Sequence, residues 1–182
     1  SSGKIDGPPP VPIWRFTVER YQQLGEIGVL SENDRVELLE GWIVPKMVHN
    51  PPHDSTVHVV SEKLSRFIST DWCARIQSTV RTSDSAPEPD VAIVRGSHRD
   101  FISRHPEPGE IGLVVEVADS SLAIDRGTKA RLYARTQIPC YWIVNLIDRQ
   151  LEVLTNPGGP ADAPAYGQRQ VFGPDDDVPF VL

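Results

Sequence analysis

The chain has 182 residues, enough for one domain with a substantial core and too few for two comfortable ones. With 39% hydrophobic and 24% charged residues it reads as an ordinary globular chain rather than a disordered one. The net charge of −7 weighs against a protein whose whole surface grips nucleic acid, while leaving room for a local cation-binding carboxylate cluster.

No apolar run approaches the roughly 20 residues needed for a membrane span. The opening SSGKIDGPPPVP lacks the features of a signal peptide, so residues 1–14 are expected to be a flexible leader and residues 15–182 a single domain. Cys73 and Cys140 are too few for a disulfide framework or a zinc cluster. The expectation is two small apolar residues in strands and a cytoplasmic location.

In chain order, Thr17 is an N-cap type, and Val18, Tyr21 and Leu24 recur at helical spacing, which predicts a helix fading near Gly28. Apolar segments flank Glu40-Gly41 within residues 35–44 and predict a β-hairpin. Pro51-Pro52-His53 opens a helix of about 16 residues with Val57, Val60, Leu64, Phe67 and Ile68 on one face. Strands are expected at Cys73–Thr82, Pro89–Val94 and Ile111–Val117.

A helix from Leu122 to Thr136 should turn Ala130, Tyr133 and Ala134 inward. Pro139 then separates it from a strand at 141–145, with a partner strand at 150–155. Residues 156–170, rich in Pro, Gly and Ala, are expected to form a surface loop. A short terminal pairing is expected from Val171, Phe172, Val178 and Phe180. The fold class is therefore α/β (α+β mixed), with a mixed sheet flanked by helices and preceded by a helix and a hairpin.

Two carboxylates stand in neighbouring apolar strands: Asp90 in PDVAIV and Glu116 in LVVEV. Burying such charges is expensive without compensation, and two brought together repel. A hard divalent cation, Mg²⁺ or Mn²⁺, would resolve both problems. A turn cap at Asp90 and an arginine partner for Glu116 are an equally open reading. Lys129, on the helix after the Glu116 strand, could reach back to orient water or stabilise phosphate charge. Its i, i+4 spacing from Asp125 also suits a plain surface salt bridge.

His53 reads either as a site residue near Glu37 or as a solvent-exposed helix-start histidine. His49 and His58 read as bystanders, and Asp175-Asp176-Asp177 as a solvated turn without the pattern of a calcium loop. Trp42 and Trp142 read as core or edge aromatics; Tyr133 and Tyr141 could face a groove, with packing the safer reading.

The ordered set RVELLEG (35–41), His53, PDV (89–91), VEV (115–117), Asp125 through Lys129 to Tyr133, and PCYWIV (139–144) resembles the Uma-type family of restriction endonucleases. That family is abundant in bacteria, especially cyanobacteria, and lies within the PD-(D/E)XK nuclease superfamily. The resemblance spans roughly residues 15 to 155 and implies a restriction-endonuclease-like core. It also implies Asp90 and Glu116 as metal ligands, Glu37 as the acidic residue near the metal, and Lys129 as the catalytic lysine; from the residues themselves, Asp125 could support Lys129 and His53 the site.

The implied activity is Mg²⁺- or Mn²⁺-dependent hydrolysis of DNA to 5′-phosphate and 3′-hydroxyl ends. Ala118 stands where many relatives carry the catalytic lysine. That departure, the acidic balance and the absence of a target-recognition domain keep open an alternative, a catalytically decayed nuclease-fold binding or assembly module. A homodimer would suit cutting of both duplex strands. A small-molecule hydrolase is disfavoured, since no Gly-x-Ser-x-Gly elbow or zinc-type histidine pair is found.

Overall fold

The computed structural model describes residues 11–180 and Leu182, apart from the side chain of Glu32. The first ten residues of the expected leader lie outside the described residues. Its last residue does not stand free, for the Trp14 ring packs edge-on against Phe16 at 4.9 Å and receives Arg20 on its face.

Helix α1 (Val18–Glu26) is capped by the Thr17 side chain, which accepts from the Arg20 N–H. The hairpin of β1 (Val36–Leu39) and β2 (Trp42–Pro45) turns at Glu40 and Gly41, with φ of 51° and 80°. Two left-handed residues give the turn a twist that matches the strands, and glycine supplies one of them without strain. Helix α2 (Pro51–Phe67) begins on the Asn50 side chain, which accepts from the His53 N–H, and has proline in its first turn, where no donor is lost.

Six strands form the main sheet: β3 (Trp72–Ile76), β4 (Val91–Arg95), β5 (Ile111–Ala118), β6 (Cys140–Asn145), β7 (Gln150–Pro157) and β8 (Tyr166–Phe172). Neighbours in sequence are neighbours in space, and all pairs are antiparallel except β5 with β6. The parallel pair needs a crossover, and the helical segment after β5 provides it. Strand β5 is buried along its whole length, as its apolar run demands.

One sheet face packs Val57 and Leu64 of α2 against Val91, Leu113, Val115 and Trp142. The other packs Leu132 and Tyr133 against Ala92, Val114 and Ile143. Each fully buried aliphatic side chain contributes about 1.5–3 kcal/mol.

The crossover is not a plain helix. It runs as α3 (Leu122–Ile124), a π-helical turn (Asp125–Lys129) and α4 (Ala130–Arg135). Leu132 is buried along with the expected inner face of Ala130, Tyr133 and Ala134.

Other expectations need correction. The strand expected at Cys73–Thr82 stops at Ile76, because Gln77 turns left-handed at φ 44°. Strand β4 begins at Val91 rather than Pro89, a residue with no N–H to give a ladder. Residues 156–170 are not one loop: β7 reaches Pro157, and β8 starts at Tyr166 as a largely exposed edge strand held by backbone pairing. Val171 and Phe172 pair within β8, while Val178 and Phe180 pack onto the core without forming a strand.

Candidate active site

The hairpin, the start of α2, the entry to β4, the end of β5 and the π-turn converge on one cleft of about 800 Å³. Val91 pairs with Val115, so the antiparallel register carried back one residue sets Asp90 opposite Glu116, on the same face. Both line the cleft, with Glu37, His53, Asp125 and Lys129.

Glu116 is only 3% exposed. Its Oε1 accepts from the Lys129 ammonium at 2.9 Å and from the Tyr133 hydroxyl at 2.8 Å. Lys129 Nζ also lies 3.8 Å from Glu37 Oε1 and 3.8 Å from Asp125 Oδ1. The spacing of Asp125 and Lys129 thus makes no surface salt bridge, for these residues are 1% and 8% exposed.

The π-turn supplies this placement. The Ala130 N–H reaches back to the Asp125 carbonyl, which also accepts from the Tyr141 hydroxyl at 3.1 Å. The Ser121 hydroxyl donates to Asp125 Oδ2 at 2.6 Å, while the buried Oδ1 makes no hydrogen bond among the described residues.

Asp90 is held differently. Its Oδ2 accepts from the Val117 N–H at 2.8 Å and lies 3.2 Å from His53 Nε2. His53 is buried, so the solvent-exposed helix-start reading does not hold. Its Nδ1 faces Asp54 Oδ1 at 3.3 Å, and its ring stacks on His49 with centroids 4.1 Å apart. His49, read as a bystander, lines the cleft, whereas His58 is exposed on α2.

Glu37 sits on β1, and its Oε2 accepts from the Glu88 N–H at 3.1 Å. The hairpin tip is fixed to the helix by Arg131 and Arg135, which both pair with Glu40.

Burial raises the Glu116 carboxyl well above its ordinary value, and the charges of Asp125, Asp90 and Glu37 add to this against the pull of Lys129. Asp125 is raised too, again chiefly by burial. Burial works to lower Lys129, but Glu116, Glu37 and Asp125 outweigh it and keep the ammonium charged. Burial would raise Asp90, yet hydrogen bonds from His53 and Val117 hold it below the usual value. The His53 imidazole is raised, first by its hydrogen bond to Asp90.

Position 118 cannot supply a cation: Ala118 is fully buried in the apolar core. The cation beside Glu116 arrives instead from the crossover. Tyr133, read as packing from the sequence, brings its hydroxyl to the same carboxylate. Its place one helical turn after Lys129 was the available signal. The i, i+4 spacing of His49 and His53 was a weaker one.

Among the described residues, His49, His53 and Asp54 offer three donor atoms within 4.8 Å of one another. The two imidazoles are nearly parallel, 18° apart, so their in-plane lone pairs run side by side rather than converging. Glu37, Asp90 and Glu116 do not gather as tightly, with the Lys129 ammonium lying beside Glu37 and Glu116.

No helix among the described residues is long and apolar enough to cross a membrane. The fold matches the crystal structure of a putative nuclease belonging to DUF820 from Anabaena variabilis ATCC 29413, with a TM-score of 0.66. The two chains are 17% identical, and the match covers 91% of this chain and 89% of that one. A search of the curated proteins finds no match. The sequence from residue 18 to 180 matches the Uma2 family, described as putative restriction endonuclease, and with nearly the whole chain covered the protein belongs to that family.

Proposed function

We propose that the protein is a divalent-cation-dependent endonuclease that hydrolyses DNA phosphodiester bonds in this cleft. The observation that carries the reading is a charge imbalance among the buried groups: four buried carboxylates, Glu37, Asp90, Glu116 and Asp125, line a cleft in which Lys129 is the buried ammonium. Hard oxygen donors in excess over local cations fit Mg²⁺ or Mn²⁺, and Mg²⁺ commonly takes one or two protein carboxylates and keeps water elsewhere. Asp90 and Glu116 would hold the ion. When bound it supplies Lewis acidity toward a phosphoryl oxygen and toward an attacking water.

The chain's own groups do the rest. Lys129 donates N–H groups toward the phosphate and offsets the negative charge that builds there. Tyr133 fixes the Glu116 oxygen through its hydroxyl, and the Val117 N–H and His53 fix Asp90. Asp125 and Glu37 hold Lys129 at the centre. Water adds to phosphorus as the P–O3′ bond breaks, and its proton ends on the 3′ oxygen, leaving a 5′-phosphate and a 3′-hydroxyl. On this reading residues 15–182 act as one domain, the free Cys73 and Cys140 suit a cytoplasmic location, and a two-fold dimer would serve cutting of both strands.

A second reading, a decayed binding or assembly module, draws on the multiple carboxylates that already hold Lys129. Nicking of supercoiled plasmid with Mg²⁺ or Mn²⁺ separates the two. Lys129→Ala should lower the rate on the order of 10²-fold or more, as deletion of a transition-state donor does. Full activity without Lys129 contradicts its role. Wild-type inactivity on plasmid, single-stranded and branched DNA favours the decayed module.

A further inference from the structure

A second cavity, of about 690 Å³, opens beside the cleft, between α1 and the outer side of the hairpin. Arg35, Lys46, Gln77 and Glu88 line both cavities and form the sill between them. Two of the four stand in the left-handed region that side chains seldom adopt: Arg35 at φ 46° and Gln77 at φ 44°. Such conformations persist where the surroundings enforce them, and they cluster where a side chain must be aimed. Arg35 is held by its carbonyl, which accepts from the Lys46 N–H at 2.8 Å. Gln77 is held by its N–H, which donates to the Asp90 carbonyl at 3.1 Å.

Charge on the sill is uneven. Lys46 and Glu88 pair with each other, whereas Arg35 is exposed and makes no ion pair among the described residues. Asp90, Glu116 and Asp125 of the cleft floor do not line the second cavity, although burial and the charges of Glu88 and Glu37 push the Tyr21 hydroxyl on its wall up to about 12. With Lys46 and Glu88 paired, the exposed Arg35 is the cation left over in the lining, and its planar guanidinium is suited to bidentate phosphate contact. Its volume falls within the roughly 300–1,000 Å³ of pockets for small-molecule-sized ligands, the scale of a nucleotide rather than of a duplex.

We propose that this cavity is a subsite for the nucleotide next to the scissile phosphate in single-stranded DNA, with Arg35 binding the intervening phosphate on the sill. The subsite rests on the endonuclease reading for its place in catalysis, but binding there requires no turnover. It makes the preferred substrate a locally unpaired strand that can leave the cleft over Arg35.

The test is fluorescence anisotropy of a fluorescein-labelled thymidine 12-mer in EDTA, with cleavage of the same oligonucleotide in Mg²⁺ alongside. Arg35→Ala should weaken binding about ten-fold and lower the salt dependence by one phosphate contact, a slope change of about 0.7. Arg35→Lys should recover part of the loss. Gln22→Trp, which fills the cavity without touching the charge, should also weaken the 12-mer. Unfolding temperature verifies that each variant is folded. Unchanged 12-mer binding in both Arg35→Ala and Gln22→Trp overturns the subsite. Arg35-dependent binding in a wild type that never cleaves supports the subsite and contradicts the catalytic reading instead.

Discussion

Two buried glutamates stand in one row across the sheet, and they have opposite electrostatic fates. Glu116 on β5 pairs with Ile143 on β6, and Ile143 pairs with Glu152 on β7, so both carboxylates share a face with one isoleucine between them. Glu152 is 0% exposed and fully answered: Arg126 and Arg169 each donate to it at 3.0 Å through Nε, and Asn145 adds a third donor at 3.2 Å. Burial alone would raise its carboxyl, but the donors from Arg126, Asn145 and Arg169 overcome this and hold it below 4.5. Glu116 has one lysine and one tyrosine hydroxyl, with further carboxylates beside it, and its carboxyl is raised.

The difference separates a closed structural network from an open one. A buried ion with its partners complete tolerates burial, and one left short of cations is costly unless something else compensates it. The same crossover serves both: the π-turn sends Arg126 to Glu152 and Lys129 to Glu116.

The largest contrast expected is in stability. Glu152→Ala removes the acceptor of two arginines and should cost about 2–4 kcal/mol, somewhat under the value for a wholly buried pair because both arginines reach solvent. Glu116→Gln, which relieves repulsion, should leave metal-free stability equal or higher. Urea unfolding of both variants in EDTA checks this, and a larger loss at Glu116 would break the distinction.

A smaller effect is expected with pH. Because the folded Glu152 carboxyl lies below its ordinary 4.5, its ionisation contributes stability that is present above about pH 4.5 and fades as pH falls below it. Glu152→Gln should lose that component, so its stability curve should flatten between pH 4.5 and lower values. A mutant curve parallel to wild type in that window would show that the two arginines do not favour the charged form.

The smallest effect is the cation shift in unfolding temperature. Mg²⁺ should raise it in wild type and in Glu152→Gln, by mass action on the folded state. Asp90→Ala should abolish the rise. A rise that survives Asp90→Ala would move the cation elsewhere.

Much of this arrangement was legible in residue order. The apolar runs of β5 and β6 gave the central strands, and a charge inside LVVEV marked Glu116 as a residue needing compensation. The hairpin was legible because Glu40-Gly41 is a turn pair between apolar segments. What escaped depends on contacts remote in sequence or on backbone pairing. Strand β8 is mostly polar and exposed, so no hydrophobic alternation announced it, and its partner β7 defines it. The end of β3 hung on one left-handed glutamine.

The π-turn follows no propensity pattern, yet it decides that Lys129 points at Glu116 and that the Asp125 spacing makes no surface bridge. Glu152 was equally silent: in LEVLT it alternates as a solvent-facing residue would, and only Arg126 and Arg169 converging from the crossover and β8 reveal it as buried.

The most direct measurement is Mg²⁺-dependent plasmid nicking by wild type, Glu116→Gln and Glu152→Gln, each rate expressed per folded molecule. Wild type and Glu152→Gln should nick at comparable rates, EDTA should stop both, and Glu116→Gln should fall on the order of 10²-fold or more. Equal rates for Glu116→Gln and wild type would contradict the assignment of catalysis to the carboxylate left short of cations.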